Sequence, residues 1–143
     1  MDIYHPVSDK IRGMLEKERI WFETFEHAPV RTSEEAARMR PGYSLHEGAK
    51  AIIIRVKIED GGKKFAMLVF PADLRFDINK VRKLFMAYDI RFATEKEISE
   101  LTEGIEPGGI PPFGSLFGIE LIADPKLFLS EKMVFNAGDR GFR

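Results

Sequence analysis

The segment that most constrains this chain is residues 108–114, which read Gly-Gly-Ile-Pro-Pro-Phe-Gly. Such a segment neither continues a helix nor lies in the middle of a sheet, because proline lacks an N–H group and glycine loses the most backbone entropy on folding. It must therefore be a loop. Two interpretations are open: a connection between a helix and a strand, which is the commoner use, or a wall whose backbone N–H groups bind an anion or a developing oxyanion.

Composition excludes several classes of protein. The chain has 143 residues, 44% of them hydrophobic, without repeats or a linker-like segment, which predicts a single domain over residues 1–143. It contains no cysteine, so disulfides, thiolate nucleophiles and zinc–thiolate or iron–sulfur sites are excluded. Its 22 basic and 23 acidic residues give no overall cationic field, so any RNA contact must be local.

The sequence also favours a location away from membranes. No apolar run approaches the roughly 18 residues that a membrane-spanning helix needs. The first residues, Met-Asp-Ile-Tyr-His-Pro, have neither the basic nor the apolar region of a secretory signal. We therefore expect a cytoplasmic protein with no membrane partner.

The pattern of apolar residues predicts a mixed α/β fold. Alternation over residues 48–58 indicates the clearest strand, and the turn composition of residues 59–62 indicates a hairpin into a second strand over 64–71, so this pair should form the centre of the sheet. Helices are expected after Ser8 or Asp9, after Asp77, and after Thr94, where Glu97 completes a capping box. Further strands are predicted at 20–27, 117–123 and 132–136.

Lys50 stands out at the start of the clearest strand. Side chains alternate between faces along a strand, so Lys50 shares a face with Ile52, Ile54, Val56 and Ile58. A lysine at the beginning of such an apolar row either extends to solvent at the edge of the sheet or lies in a cleft at the mouth of the core. In the second case its ammonium group would bind an anion.

Arg31 and Thr32 form a second candidate site. They lie where the predicted strand 20–27 gives way to a helix whose start is marked by a capping box of Thr32 and Glu35. Backbone N–H groups at the start of a helix commonly meet a ligand. Glu35 is accounted for as a structural cap.

Other catalytic arrangements find little support. There is no Gly-x-Ser-x-Gly motif, His5, His27 and His46 lie in unrelated contexts, and no metal-ligand cluster, P-loop or dinucleotide fingerprint is present. We therefore expect no metal and no cofactor. What remains is a lysine, a loop rich in backbone donors and a polar pair before a helix, a set that can bind and polarise an ester or a phosphate without a protein nucleophile.

Four segments, in order along nearly the whole chain, resemble the YbaK/prolyl-tRNA synthetase editing-domain family. They are His-Ala-Pro-Val-Arg-Thr-Ser-Glu-Glu-Ala-Ala (27–37), Gly-Ala-Lys-Ala (48–51), the loop 108–114 and Asn-Ala-Gly-Asp-Arg-Gly (136–141). The resemblance implies a central mixed, partly barrel-like sheet surrounded by helices. It also implies a free-standing aminoacyl-tRNA deacylase that acts on the acceptor end of wrongly charged tRNA.

The resemblance further implies roles for individual residues. The characteristic lysine of the family falls on Lys50, which would hold the phosphate or sugar end of the substrate, and backbone amides of Gly108 and Gly109 would stabilise the carbonyl oxygen while water attacks. The 2′-hydroxyl of the terminal adenosine would assist. Substrate contacts are expected from His27, Arg31, Thr32, Ile110, Pro111, Pro112, Gly114, Asn136, Ala137 and Gly138.

Two departures from the family pattern keep alternatives open. Asn136 stands where relatives often have serine, and relatives usually continue into another strand, whereas this sequence has Gly-Phe-Arg after residue 140. That strand is either dispensable or replaced by a partner, and a dimer through an incomplete sheet edge is one such arrangement. The second functional hypothesis is a non-catalytic module that binds a tRNA end or a nucleotide and docks on a synthetase. The preferred amino acid is open among alanyl, cysteinyl and seryl or threonyl types.

Overall fold

The computed structural model describes residues 5–24, 47–59 and 61–138. Their centre is a four-stranded sheet in the order β3-β1-β2-β4, with β1 at Ala49–Ile58, β2 at Lys63–Pro71, β3 at Ala87–Phe92 and β4 at Glu120–Ala123. Strand β1 pairs antiparallel with β2 and β3, and β2 pairs parallel with β4. The predicted mixed α/β class and the central hairpin are confirmed, and the sheet formed by the described residues is not closed into a complete barrel.

Within the described residues, three helices and three short 3-10 turns accompany these strands. The helices are α1 at Val7–Lys17, α2 at Ile78–Phe85 and α3 at Glu95–Thr102. The 3-10 turns are Pro107–Gly109, Gly114–Phe117 and Pro125–Leu129. Helix α1 begins slightly before the predicted start, and Ser8 is buried inside it.

The alternation of β1 is confirmed by two hydrophobic clusters on opposite faces of the sheet. Ile54 and Val56 belong to one cluster, with Ile52 and Ile58 packed against it, and helix α2 covers them through Val81 and Phe85. Ile53 belongs to the other cluster, which α1, α3 and the loop after α3 cover; its buried members are Val7, Ile11, Ala49, Ile53, Met67, Val69, Ile98, Ile105, Ile110, Leu127 and Ala137. Both faces of the sheet are therefore covered.

Three predictions about strands were wrong or incomplete. Residues 20–24 have no regular structure, and within 132–136 only Val134 forms a bridge, to Gly48. The strand expected from residue 117 begins at Glu120, because the 3-10 turn before it ends in the left-handed conformation of Gly118. Strand β3 was not predicted; it follows directly after Met86, whose φ of 53° ends helix α2.

Both predicted helix caps in the described residues are present. The Asp77 carboxylate accepts hydrogen bonds from the amides of Asn79 and Lys80 at the start of α2. At the start of α3, the Thr94 hydroxyl accepts from the Glu97 amide at 3.1 Å and the Glu97 carboxylate accepts from the Thr94 amide at 2.9 Å. The capping box predicted for Thr32 and Glu35 lies outside the described residues.

Arg91 ties strand β3 to helix α3. Its guanidinium donates to both carboxylate oxygens of Glu97, with Nη1–Oε1 and Nη2–Oε2 distances of 2.7 and 2.9 Å. These bonds, together with the Thr94 amide, lower the pKa of Glu97 from 4.5 to about 2. Because a lowered pKa favours the folded state wherever the carboxylate is charged, this stabilisation is complete above pH 4.5 and is lost as the pH falls from 4.5 towards 2.

We therefore expect Glu97→Gln to lower the urea midpoint of unfolding at pH 7, with the difference from the wild type shrinking steadily below pH 4.5. Glu100→Gln, on the exposed side of the same helix, is the matched control and should change the midpoint little at either pH. A Glu97→Gln deficit that stayed constant down to pH 2 would show that the ionised pair is not its source.

Candidate functional site

The loop predicted to be functional is attached firmly where it leaves helix α3. The buried hydroxyl of Thr102 donates to the Ile98 carbonyl at 2.7 Å and accepts from the Ile105 amide at 3.1 Å. Ile105 itself is buried in the cluster shared with α1. The chain is thus turned out of the helix and into the 3-10 turn by a satisfied polar group and an apolar anchor.

Gly108 and Gly109 lie in that turn. The Gly109 amide donates to the Glu106 carbonyl at 2.8 Å, whereas the Gly108 amide has no hydrogen-bond partner among the described residues. Neither glycine has a positive φ; the described glycines that do are Gly61, Gly104, Gly118 and Gly138. The left-handed conformation that favours glycine therefore does not explain positions 108 and 109.

Residues 136–138 hold the carbonyl groups of the same two glycines. The Asn136 Nδ2 donates to the Gly108 carbonyl, and the Gly138 amide donates to the Gly109 carbonyl at 2.9 Å. The Asn136 Oδ1 is buried and has no partner within the described residues. Because an acceptor needs a donor when it is out of water, this oxygen is suited to a donor from a bound molecule.

The segment that holds the loop is itself joined to the start of β1. The Val134 amide donates to the Glu47 carbonyl at 2.9 Å, and the Ala49 amide donates to the Val134 carbonyl at 2.7 Å. Two of the four segments on which the sequence resemblance rested, 108–114 and the described part of 136–141, are thus bonded to each other directly, and a third, 48–51, is bonded to Val134 just before them.

Lys50 follows this junction directly. Its backbone pairs with Phe70 and its side chain is exposed, on the side of β1 that Ile52 and Ile54 share. The loop packs on the opposite cluster through Ile110. The structure therefore joins the backbone at the start of β1 to the segment that contains Val134. The side chain of Lys50, the second residue of β1, is exposed to solvent.

The remaining predicted contact residues fall into two groups. Ile110, Pro111, Pro112 and Ala137 are buried, so their side chains anchor the loop and the 136–138 segment in the core. Gly114 and Gly138 have packing reasons to be glycine: a Cβ at Gly114 would lie 2.7 Å from the Ile119 carbonyl oxygen, and one at Gly138 would lie 2.5 Å from the Val7 Cγ1. His27, Arg31 and Thr32 lie outside the described residues.

A groove beside the loop was not predicted. This α1 groove, as we call it, has a volume of about 540 Å³ and is lined by α1, residues 20–24, Phe113, residues 131–135 and Ala137. Phe113 and Phe135 meet edge to face in its wall, with ring centroids 5.1 Å apart. The sequence pattern of 20–27 and 132–136 favours strands and so does not indicate a groove. Trp21, the one tryptophan of the chain, is the sequence feature that could have indicated an aromatic binding surface.

The described residues have neither a metal-binding cluster nor a membrane-spanning helix. They contain no cluster of three or more His, Asp or Glu side chains placed to bind a metal ion. Among the same residues, no helix is long and apolar enough to cross a membrane.

Residues 27–142 match the family model described as the aminoacyl-tRNA editing domain. The chain belongs to this family. Its relatives include the multifunctional Ser/Thr-tRNA deacylase ProXp-y of Escherichia coli (strain K12), 31% identical over 130 residues, which are 90% of this chain and 76% of that protein. The proline–tRNA ligase of Ralstonia nicotianae is 29% identical over 83% of this chain, but the match spans only 21% of the ligase.

Solved structures share the fold of this chain. The crystal structure of the hypothetical protein APE2540 superposes with a TM-score of 0.76 at 28% identity and covers 93% of this chain and 85% of its own. A candidate trans-editing enzyme for prolyl-tRNA synthetase superposes with the same TM-score at 24% identity. The match covers 96% of this chain and 84% of that enzyme. The family resemblance and the mixed α/β fold predicted from the sequence are thus confirmed.

We expect Gly114→Ala to destabilise the fold by about 1–3 kcal/mol, because its Cβ would collide with backbone atoms of residue 119. Gly13→Ala is the matched control. It lies inside α1 with nothing near its Cβ position, and should stabilise by roughly 0.5–1 kcal/mol. Urea denaturation measures both. Unchanged stability in Gly114→Ala would remove the packing explanation for this glycine.

Proposed function

We propose that this chain is a trans-acting editing hydrolase that deacylates mischarged aminoacyl-tRNA. Family membership and the similarity to a Ser/Thr-tRNA deacylase support this reaction. The observation that carries the proposal is the hydrogen-bonded junction of residues 47–49, 108–109 and 134–138, which joins the loop, through its glycine carbonyls, to the strand that bears Lys50.

The chemistry needs no protein nucleophile. Water attacks the ester carbonyl carbon, the C–O bond to the ribose breaks, and the ribose oxygen leaves with a proton, giving a free amino acid and uncharged tRNA. Negative charge grows on the carbonyl oxygen during the attack, and a backbone N–H aimed at that oxygen stabilises it. The Gly108 amide is the donor we assign, because the Gly109 amide is already bonded to Glu106.

Lys50 is assigned to binding rather than to bond cleavage. An exposed ammonium group at the start of β1 is suited to bind a phosphate group of the tRNA acceptor end, because that phosphate carries a full negative charge. The chain as a whole carries a net charge of −1, so affinity for tRNA must come from such local contacts. A synthetase that holds the same tRNA is a further proposed partner, since proline–tRNA ligases contain a related segment.

The test is a deacylation assay with tRNA charged with serine, threonine, alanine or cysteine. We expect the wild type to release at least one of these amino acids, and Lys50→Ala to lower kcat/KM by about tenfold or more without changing the urea midpoint. Lys63→Ala, a second exposed lysine on the central hairpin, is the matched control and should retain activity.

Two outcomes would contradict the role of Lys50, and a third would contradict the function itself. Full activity in Lys50→Ala would remove the role given to that lysine, and loss of its fold would show that the residue is structural. If no ester is cleaved while tRNA or a synthetase still binds, the chain is the non-catalytic binding module instead.

A further inference from the structure

The α1 groove offers an aromatic platform next to the proposed ester site. Trp21 is 62% exposed although it is the largest apolar side chain available to the core. The Nζ of Lys132 lies 4.6 Å from the centre of its ring. An exposed tryptophan paired with a cation is the arrangement on which proteins stack the bases of single-stranded nucleic acid.

The rim of the groove favours a base over a phosphate. It carries two cations, Arg12 and Lys132, and two carboxylates, Glu23 and Glu131. Such a balanced set of charges gives no net attraction for a polyanion, whereas the aromatic side chains of the groove suit a flat ring. The volume of about 540 Å³ is within the usual range of small-molecule sites and far exceeds the need of a seryl or threonyl side chain.

The groove and the proposed ester site share one loop. Phe113, the residue before last of the Gly-Pro loop (residues 108–114), lines the groove, where its ring meets that of Phe135. The next residue, Asn136, donates to the carbonyl of Gly108. A group held in the groove therefore contacts a residue of the same loop that carries the Gly108 amide, and the base and the ester of an aminoacylated nucleoside are likewise carried on one ribose.

We infer that the α1 groove holds the 3′-terminal adenine of aminoacyl-tRNA, stacked on Trp21 beside Lys132. This inference rests on the proposed function, since the ester to be cleaved lies on that same nucleoside. Base stacking would then hold the ribose, while the loop amide acts on the acyl group.

Because Trp21 is the only tryptophan, its fluorescence reports directly on the groove. The probe is the uncharged RNA trinucleotide CCA, and the control is the same oligonucleotide with an abasic terminal ribose. We expect CCA to quench Trp21 emission saturably and the abasic form to need about a tenfold higher concentration. Equal quenching by the two, or none by either, would overturn the inference.

Deacylation kinetics give an independent measurement. Trp21→Ala should raise KM for aminoacyl-tRNA about tenfold and change kcat less than twofold, and Trp21→Phe should restore most of the affinity because it keeps a ring. Tyr88→Ala, which removes an aromatic ring 57% exposed on β3, is the matched control with unchanged KM. A kinetically normal Trp21→Ala in an active enzyme would overturn the groove inference and leave the proposed function standing.

Two further outcomes separate the proposals. If no ester is cleaved but CCA still quenches Trp21 with the predicted preference, the proposed function fails and the groove is supported as a nucleotide site. If Trp21 emission instead shifts with protein concentration alone, and sedimentation shows a dimer that CCA does not affect, a second copy covers the groove and the inference is overturned.

Discussion

The hydrogen bonds that residues 136–138 donate to the carbonyl groups of Gly108 and Gly109 decide where the Gly-Pro loop can lie. A loop without regular structure gains little from its own backbone, and ordering it costs conformational entropy. Here contacts with other parts of the chain offset that cost. Asn136 and Gly138 donate to the two glycine carbonyls. The side chain of Ile110 is buried in the core, and the Thr102 hydroxyl holds the residues that enter the loop. The loop is consequently held at its start, at both glycine carbonyls and through the buried side chain of Ile110.

The same bonds determine which backbone atoms are available for chemistry. With both carbonyls facing the 136–138 segment and the Gly109 amide bonded to Glu106, the Gly108 amide is left as a donor among the described residues. A donor fixed before the substrate arrives costs no reorganisation during the reaction, which is the basis of oxyanion stabilisation. The buried, unpartnered Oδ1 of Asn136 adds an acceptor to the same neighbourhood.

Local patterns predicted the central hairpin, the two-sided alternation of β1 and the caps at Asp77 and Thr94, because these depend on neighbours in sequence. They did not predict where the loop would be held, since the Asn136–Gly108 bond joins residues 28 positions apart. Strands were predicted at 20–27 and 132–136 because the aromatic and β-branched residues of these segments favour strands. The described part, 20–24 and 132–136, forms no such strand. The structure uses those residues for the walls of the α1 groove instead. Lys50 was placed correctly on its face of β1, but its exposure could not be deduced from alternation alone.

The central claim is that the Gly108 amide and the junction around Asn136 form the ester site. It can be tested most directly by recording backbone amide NMR spectra with a stable 3′-amide analogue of seryl-adenosine, in which an N–H replaces the ester oxygen. We expect the largest change in chemical shift at the Gly108 amide, with a second change at the side-chain amide of Asn136. Saturable binding that leaves both signals unmoved, with changes confined to the α2 side of the sheet, would contradict it.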